Sequence, residues 1–377
     1  KIFTRVITIL ALVISVISDE ISDFSTCTVH KASFNETLLS ENLPQLSIEE
    51  LPENFTWEKV GEEQINFLTV IKNQNTPTFC DGCWAIAATT SLSDRIKIQR
   101  KAQWPDIVVS PQVLLACDLD SQGCNAGDPL SAYKYIKENN ITDETCAPYR
   151  GRGFTNGFKC SNTTICKDCN HQKCMVPQKY SIYSISEYGT VSGEETMVNE
   201  IYNRGPITCG IALTKGFLDY KEGIFEDLSE EAEIKHEISI VGYGTEQVGD
   251  ENVKYWIVRG NWGIYWGNKG FAKIVRGKNN LNIESRCSWA VPKDTWTENV
   301  KHETTDEEQN DPNNEIKNDS DKISPAVSFK FLGGEDKADN NALVEEYPSE
   351  IIDEEYESVP YILTPEPKKY LKDDELP

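Results

Sequence analysis

The chain has 377 residues, of which 38% are hydrophobic and 10% aromatic, and 61 Asp and Glu outweigh 37 Lys and Arg to give a net charge of −24. That length allows one large domain or two smaller ones. The acidity argues against nucleic acid as a partner, because phosphate binding needs clustered Lys and Arg.

In chain order, Lys1 and Arg5 flank the start of an apolar run, Val6 to Ile17. Its length suits the core of a signal peptide, residues 1–18, better than a membrane span, with a buried helix as the plain alternative. No other stretch is apolar enough to span a bilayer, so no membrane span is expected after signal cleavage. Residues 19–50 form a polar leader with one cysteine, too short to fold alone. From Leu51 the composition becomes denser in apolar residues. Trp84 to Arg100 reads as a helix, with Ala85, Ala88, Leu92 and Ile96 recurring every three or four residues. Ser110-Pro111 resembles an N-cap followed by Pro in the first turn, opening Val113 to Ala116. Leu130 to Lys137 is also predicted helical, and Cys160 to Cys174 a polar loop.

The second half reads as strands at Tyr180–Tyr188, Pro206–Leu213, Ile234–Val241, Lys254–Val258 and Phe271–Val275, with a helix at Met197–Arg204. Turns are predicted at Gly242–Gly244 and Gly267–Gly270. A helical half followed by a strand half predicts an α+β protein with a cleft between two lobes. From Thr297 to Pro377 about 23 acidic residues face 8 basic ones without a cysteine, and this tail is predicted disordered.

Twelve cysteines lie between Cys27 and Cys287, a density that fits an oxidising compartment: the secretory pathway, then a lysosome, a vacuole or the exterior. Sequons at Asn35, Asn54, Asn140 and Asn162 are compatible with that route.

The chemistry centres on Cys80-Asp81-Gly82-Cys83-Trp84. Cys83 falls at a helix start, where unpaired N–H groups and the macrodipole favour a thiolate. A thiolate that attacks carbonyls needs a proton partner, most often His. Of the four histidines, His30 lies in the leader, His171 in the cysteine-rich loop and His302 in the tail, which leaves His236 on a strand of the other half. Gln74, with the Cys83 backbone N–H, is the candidate oxyanion donor. Trp262 is placed to keep water from the pair. The plain alternatives are a structural Cys83, a satisfied strand histidine at His236, ordinary packing of Trp262, and a zinc knuckle at Cys160, Cys166, Cys169, Cys174 and His171, against which disulfides are preferred.

Together, Asn73-Gln74, Cys80 to Ala85, Gly123 to Gly127, Asp143 to Cys146, Arg204 to Ile207, Tyr255 to Arg259 and Trp262-Gly263 resemble the papain family of cysteine peptidases, and within it a lysosomal carboxypeptidase branch. The resemblance runs from about Leu51 to Pro292. It implies a papain-like two-lobed fold over residues 51–296, a helical lobe and a β-barrel-like lobe with the active-site cleft between them. It also implies peptide or protein substrates, no metal or other cofactor, and a monomer. It further implies the disulfides Cys80–Cys124, Cys117–Cys160, Cys146–Cys166, Cys169–Cys174 and Cys209–Cys287. Cys27 is left over, and by the same resemblance it bonds Cys83 and holds a zymogen inactive.

The sequence departs from the family at four places. Asp81 stands for the usual Gly, and its carboxylate should raise the Cys83 pKa. Gly82 replaces Ser or Ala. Gly260 occupies the position of the Asn that orients the imidazole; Asn261, next along an extended segment, points to the other face and cannot simply substitute. Lys235 and Glu237 flank His236 where small or Asn/Asp neighbours are usual. In the branch's short insertion, Asn75-Thr76-Pro77, Asn75 replaces a His that binds the substrate's terminal carboxylate, and Gly127 belongs to the substrate-binding motif. These departures keep open a second reading, an impaired relative that binds peptides or inhibitors in the same cleft. A purely structural glycoprotein would leave Trp84, Gln74 and His236 without a reason.

Overall fold

The structure, a computed structural model, describes residues 26–28, 46–229 and 233–293. The expected signal peptide (1–18), most of the leader (19–25 and 29–45), the acidic tail (297–377), Asn35, His30 and His302 lie outside the described residues.

The first half builds around α1 (Cys83–Gln99), joined by α2 (Pro111–Cys117) and α3 (Pro129–Asn139). The predicted apolar stripe on α1 is only part of the picture. All fourteen residues from Cys83 to Ile96 are buried, the pattern of a helix covered on every side. Its polar residues therefore find internal partners. Thr89, Thr90 and Ser93 donate to the carbonyls of Ala85, Ile86 and Thr89 at 2.7, 2.8 and 2.6 Å. On one side Ala85, Ala88 and Leu92 pack with Leu114, Leu115, Tyr133 and Ile136. At α2 the Ser110 hydroxyl does not cap the helix but donates to the Ala147 carbonyl at 2.5 Å. Cys160 to Cys174 is loop-rich, with α4 (Asn162–Ile165) and a small pair, β2 (Asp168–Cys169) with β3 (Cys174–Met175).

The second half is an eight-stranded sheet. It contains β4 (Ser184–Val191), β5 (Ile207–Ala212), β6 (Ile224–Phe225), β7 (Ile234–Val248), β8 (Glu251–Arg259), β9 (Phe271–Val275) and β10 (Cys287–Lys293). The order is β4-β10-β5-β7-β8-β9-β6, with β1 (Phe55–Thr56) beside β7. All pairs are antiparallel except β6 with β9. Two helices, α5 (Glu194–Arg204) and α6 (Lys215–Leu218), interrupt the strands.

Two sequence expectations shift. Gly242–Gly244 is not a turn but lies inside β7, which turns instead at Gly249. A side chain at Gly242 would strike the Phe55 carbonyl, and one at Gly244 the Tyr255 ring; these glycines admit neighbouring chains rather than reverse their own. The strand predicted from Tyr180 begins at Ser184, with only Tyr183 bridged to Ile141 before it.

Two buried ion pairs tie α1 to the second half, one to β8 and one to α5. Asp94 accepts from Arg259 at 2.7 Å and from the Thr69 hydroxyl at 2.7 Å. Arg95 donates to Glu200 at 2.7 Å and to the carbonyls of Pro206, Gly205 and Ala290. Each charge is thus paired and hydrogen-bonded, which burial requires. Among the described residues no helix is long and apolar enough to cross a membrane.

Candidate active site

Cys83 is the first residue of α1 and is fully buried. The loop before it is stapled: Cys80 is disulfide-bonded to Cys124, and the Asp81 amide donates to the Cys124 carbonyl at 2.9 Å. Trp84 donates its indole N–H to Gly123 at 3.1 Å. Any side chain at Gly127 would fall inside the Trp84 ring, so this position needs glycine to let the main chain come close.

His236 lies on β7, opposite Ile211 of β5. The junction of α1 with the sheet therefore brings Cys83 and His236 together across 153 residues of sequence. Cys27 joins them: its sulfur is bonded to Cys83, with Cα atoms 5.8 Å apart, and lies 3.1 Å from His236 Nδ1. A disulfide sulfur carries no proton, so this contact is a hydrogen bond when Nδ1 donates, which leaves Nε2 as the bare nitrogen. Nε2 is buried and has no hydrogen-bond partner among the described residues. Trp262 stacks on the ring, with centroids 4.3 Å apart and planes 13° apart. Burial pushes the imidazole pKa down to about 3, so the ring is neutral at ordinary pH.

The segment 72–74 pairs with 261–263, and the Gln74 amide donates to the Asn261 carbonyl at 2.8 Å. Tyr149 donates to the Gln74 carbonyl at 2.6 Å. The Gln74 side chain is buried, and its Oε1 has no partner among the described residues. Asn261 is also buried, but its amide donates to the Glu237 carbonyl at 2.8 Å and, more distantly, to Cys83 O at 3.5 Å, not to the imidazole. A Cβ on Gly260 would stand 2.7 Å from the Trp266 ring. Asn75 is exposed on the loop with the cis bond Thr76–Pro77, outside the buried cluster.

The other cysteines form the disulfides Cys117–Cys160, Cys146–Cys166, Cys169–Cys174 and Cys209–Cys287. The sulfurs around His171 are therefore not thiolates, and the alternative of a zinc knuckle there has no ligands to use. Among the described residues one group could gather round a metal ion, Cys27, Cys83 and His236, with donor atoms within 4.8 Å of one another; two of the three are joined as a disulfide.

Sequence reasoning missed the hold that the leader has on the cleft. The Cys27 N–H donates to Lys235 O at 3.0 Å, and the Gly127 N–H donates to Cys27 O at 3.2 Å. Thr28 donates its hydroxyl to Glu237 Oε1 at 2.9 Å. Glu237 is buried; desolvation first, then the charge of Asp128, push its pKa up to about 8. The only sequence signal was a carboxylate in an apolar strand.

A profile of the papain family cysteine proteases matches residues 51–291. The chain belongs to the papain family. The α+β arrangement described above is accordingly the papain-like two-lobed fold. Among curated relatives, cathepsin Z of Onchocerca volvulus is 38% identical over 253 residues, covering 65% of this chain and 79% of that protein. Pro-cathepsin H of Bos taurus is 30% identical over 247 residues, covering 64% and 65%. Among solved structures, the proform of the ragweed pollen cysteine protease Amb a 11 superposes with a TM-score of 0.53 at 26% identity, over 65% of this chain and 67% of that one. Procathepsin L2 from the Tenebrio molitor larval midgut gives 0.52 at 25%, over 64% and 68%.

Proposed function

We propose that this papain-family cysteine peptidase is made as a zymogen whose nucleophile, Cys83, is capped by the leader residue Cys27. The observation that carries the reading is the cluster of Cys27, Cys83 and His236, whose donor atoms lie within 4.8 Å of one another in a buried site. A thiolate of the reductant attacks the Cys27 sulfur; the Cys27–Cys83 bond breaks and Cys83 leaves as a thiolate at a helix N-terminus, while a second thiol resolves the mixed disulfide left on Cys27. His236 Nδ1 loses its Cys27 neighbour and turns to the freed sulfur.

In the open enzyme the Cys83 thiolate attacks a peptide carbonyl carbon. Negative charge on the carbonyl oxygen is met by the Cys83 backbone N–H and the Gln74 side-chain amide. Beside the thiolate the exposed His236 takes up a second proton as imidazolium, and the C–N bond breaks as that imidazolium gives its proton to the leaving amine. Water, deprotonated by His236, then attacks the thioester and releases the acid and the thiolate. Gly127 binds the substrate main chain, and Trp262 shields the imidazole. The site needs no cofactor.

The finer reading is carboxypeptidase action, with Asn75 donating a neutral hydrogen bond to the terminal carboxylate; the likeness to cathepsin Z supports it. Secretion or delivery to lysosomes fits the six disulfides. The test is hydrolysis of one peptide with a free or an amidated C-terminus, before and after reduction. Cleavage only after reduction, and faster for the free acid, is expected. Equal cleavage of both at internal bonds overturns the carboxypeptidase reading.

One observation favours a second reading, an impaired peptidase that binds peptides. Gly260 offers no side chain to His236 Nε2, which has no partner among the described residues. A reduced protein that binds these peptides without cleaving them would support it.

A further inference from the structure

The geometry points to Glu237 as a specificity-determining residue: the pocket it floors, filled here by Thr28, selects a short hydroxyl-bearing substrate side chain, serine or threonine. This inference rests on the peptidase reading of the same cleft.

Lys235 and Gly127 belong to opposite halves of the fold, and both hold the main chain of Cys27. The leader is thereby fixed at the nucleophile by two backbone bonds and one covalent bond. Thr28, the next residue, is 3% exposed and pairs as a bridge with Gly127. Its hydroxyl is directed onto Glu237 Oε1. A peptide clamped by the same two backbone groups would lodge one side chain where Thr28 now sits.

The shape and chemistry of that pocket select what fills it. Gly210, directly opposite Glu237 on β5, lets Ile234 and Glu237 close in on that side; a Cβ there would meet Ile234 Cγ2 at 2.7 Å and Glu237 Oε1 at 3.3 Å, so the pocket is walled there and stays short. Behind Glu237 only about 10 Å³ of cavity remains, bordered by Asp128, Leu130 and Arg286, room for no more than about one water. A long side chain has nowhere to extend. Arg286 is engaged with Asp128 at 2.8 Å, so those two charges already balance one another. With Thr28 in place burial pushes the Glu237 pKa up to about 8, and neutral or ionised its carboxyl oxygen accepts from a hydroxyl. Valine, the isostere of threonine, would leave it without a partner, and sites built to bond a hydroxyl reject its absence strongly.

The experiment scans Thr, Val, Ser, Ala, Leu and Lys at each of four positions on the acyl side of the cleaved bond, using the reduced full chain. At one position Thr should exceed Val at least tenfold in kcat/KM; Glu237→Gln should keep the preference and Glu237→Leu should abolish it. Equal rates for Thr and Val at every position, or a preference that survives Glu237→Leu, overturn the assignment. Cleavage of no peptide at all would instead sink the peptidase reading. The pocket is then judged on the full chain by alkylation of Cys83 with iodoacetamide under reductant. Thr28→Val and Glu237→Leu should each speed it at least threefold, and the double variant no further. Unchanged rates overturn the inference there too.

Discussion

Trp262 lies face to face with His236, their ring centroids 4.3 Å apart, while the far nitrogen of that imidazole has no hydrogen-bond partner among the described residues. On the Nε2 side the histidine is therefore held by packing and burial, its polar contact being Nδ1 with Cys27 Sγ at 3.1 Å. Replacing Trp262 by Ala should let water reach the ring and raise the His236 pKa from about 3 toward its ordinary 6.5. An NMR pH titration of the imidazole reads this directly; an unmoved midpoint would mean that other groups dehydrate the ring.

Gly260→Ala should destabilise the fold. The added methyl meets Trp266 at 2.7 Å, and Trp266 is anchored by its N–H to Leu218 O at 3.0 Å. Overpacking of this kind costs about 1–3 kcal/mol, a Tm loss of about 2–4 °C per kcal/mol for a domain of this size. An unchanged melting curve would show that Trp266 yields freely.

Asp94→Asn and Arg259→Met each strand a buried charge. Each should cost about 3–5 kcal/mol, whereas the double variant that combines the two should cost less than their sum. Denaturant unfolding of the three variants checks this. Strict additivity would show that the pair does not act as a unit.

The pH dependence of stability has two limbs. Glu237 is raised from 4.5 to about 8, so its contribution is full below pH 4.5 and is lost as pH rises through 8. His236 is depressed from 6.5 to about 3, so its contribution is present above pH 6.5 and is lost as pH falls through 3. Between pH 4.5 and 6.5 the two slopes oppose each other. The Tm of the oxidised chain should fall from pH 6.5 to 8, and Glu237→Gln should flatten that limb. An identical fall in the variant would assign it to another group.

Much of this was legible in the sequence, for physical reasons. A helix from residue 84 follows from its periodicity, and the His236 strand from its β-branched neighbours. Both tell where the halves meet. The burial of α1 on all sides was not legible, because its Thr and Ser residues look solvent-facing until their hydroxyls are seen turned onto the helix's own carbonyls. Gly242 and Gly244 misled because glycine marks both turns and close approaches, and only tertiary contacts separate the two. The Thr28–Glu237 bond joins residues 209 apart, and no local pattern announces such a pairing.

The central claim is that Cys83 becomes a thiolate served by His236 once Cys27 is released. Its most direct measurement is peptide mapping after treatment with an electrophilic epoxide probe, with and without reductant, in wild type, Cys27→Ser and His236→Ala. Cys83 should be labelled in wild type only after reduction, in Cys27→Ser without it, and in His236→Ala roughly 100-fold more slowly, at the lower end of what general acid–base partners supply. A reduced wild-type chain that stays unlabelled at Cys83, or labels no faster than His236→Ala, would contradict the claim.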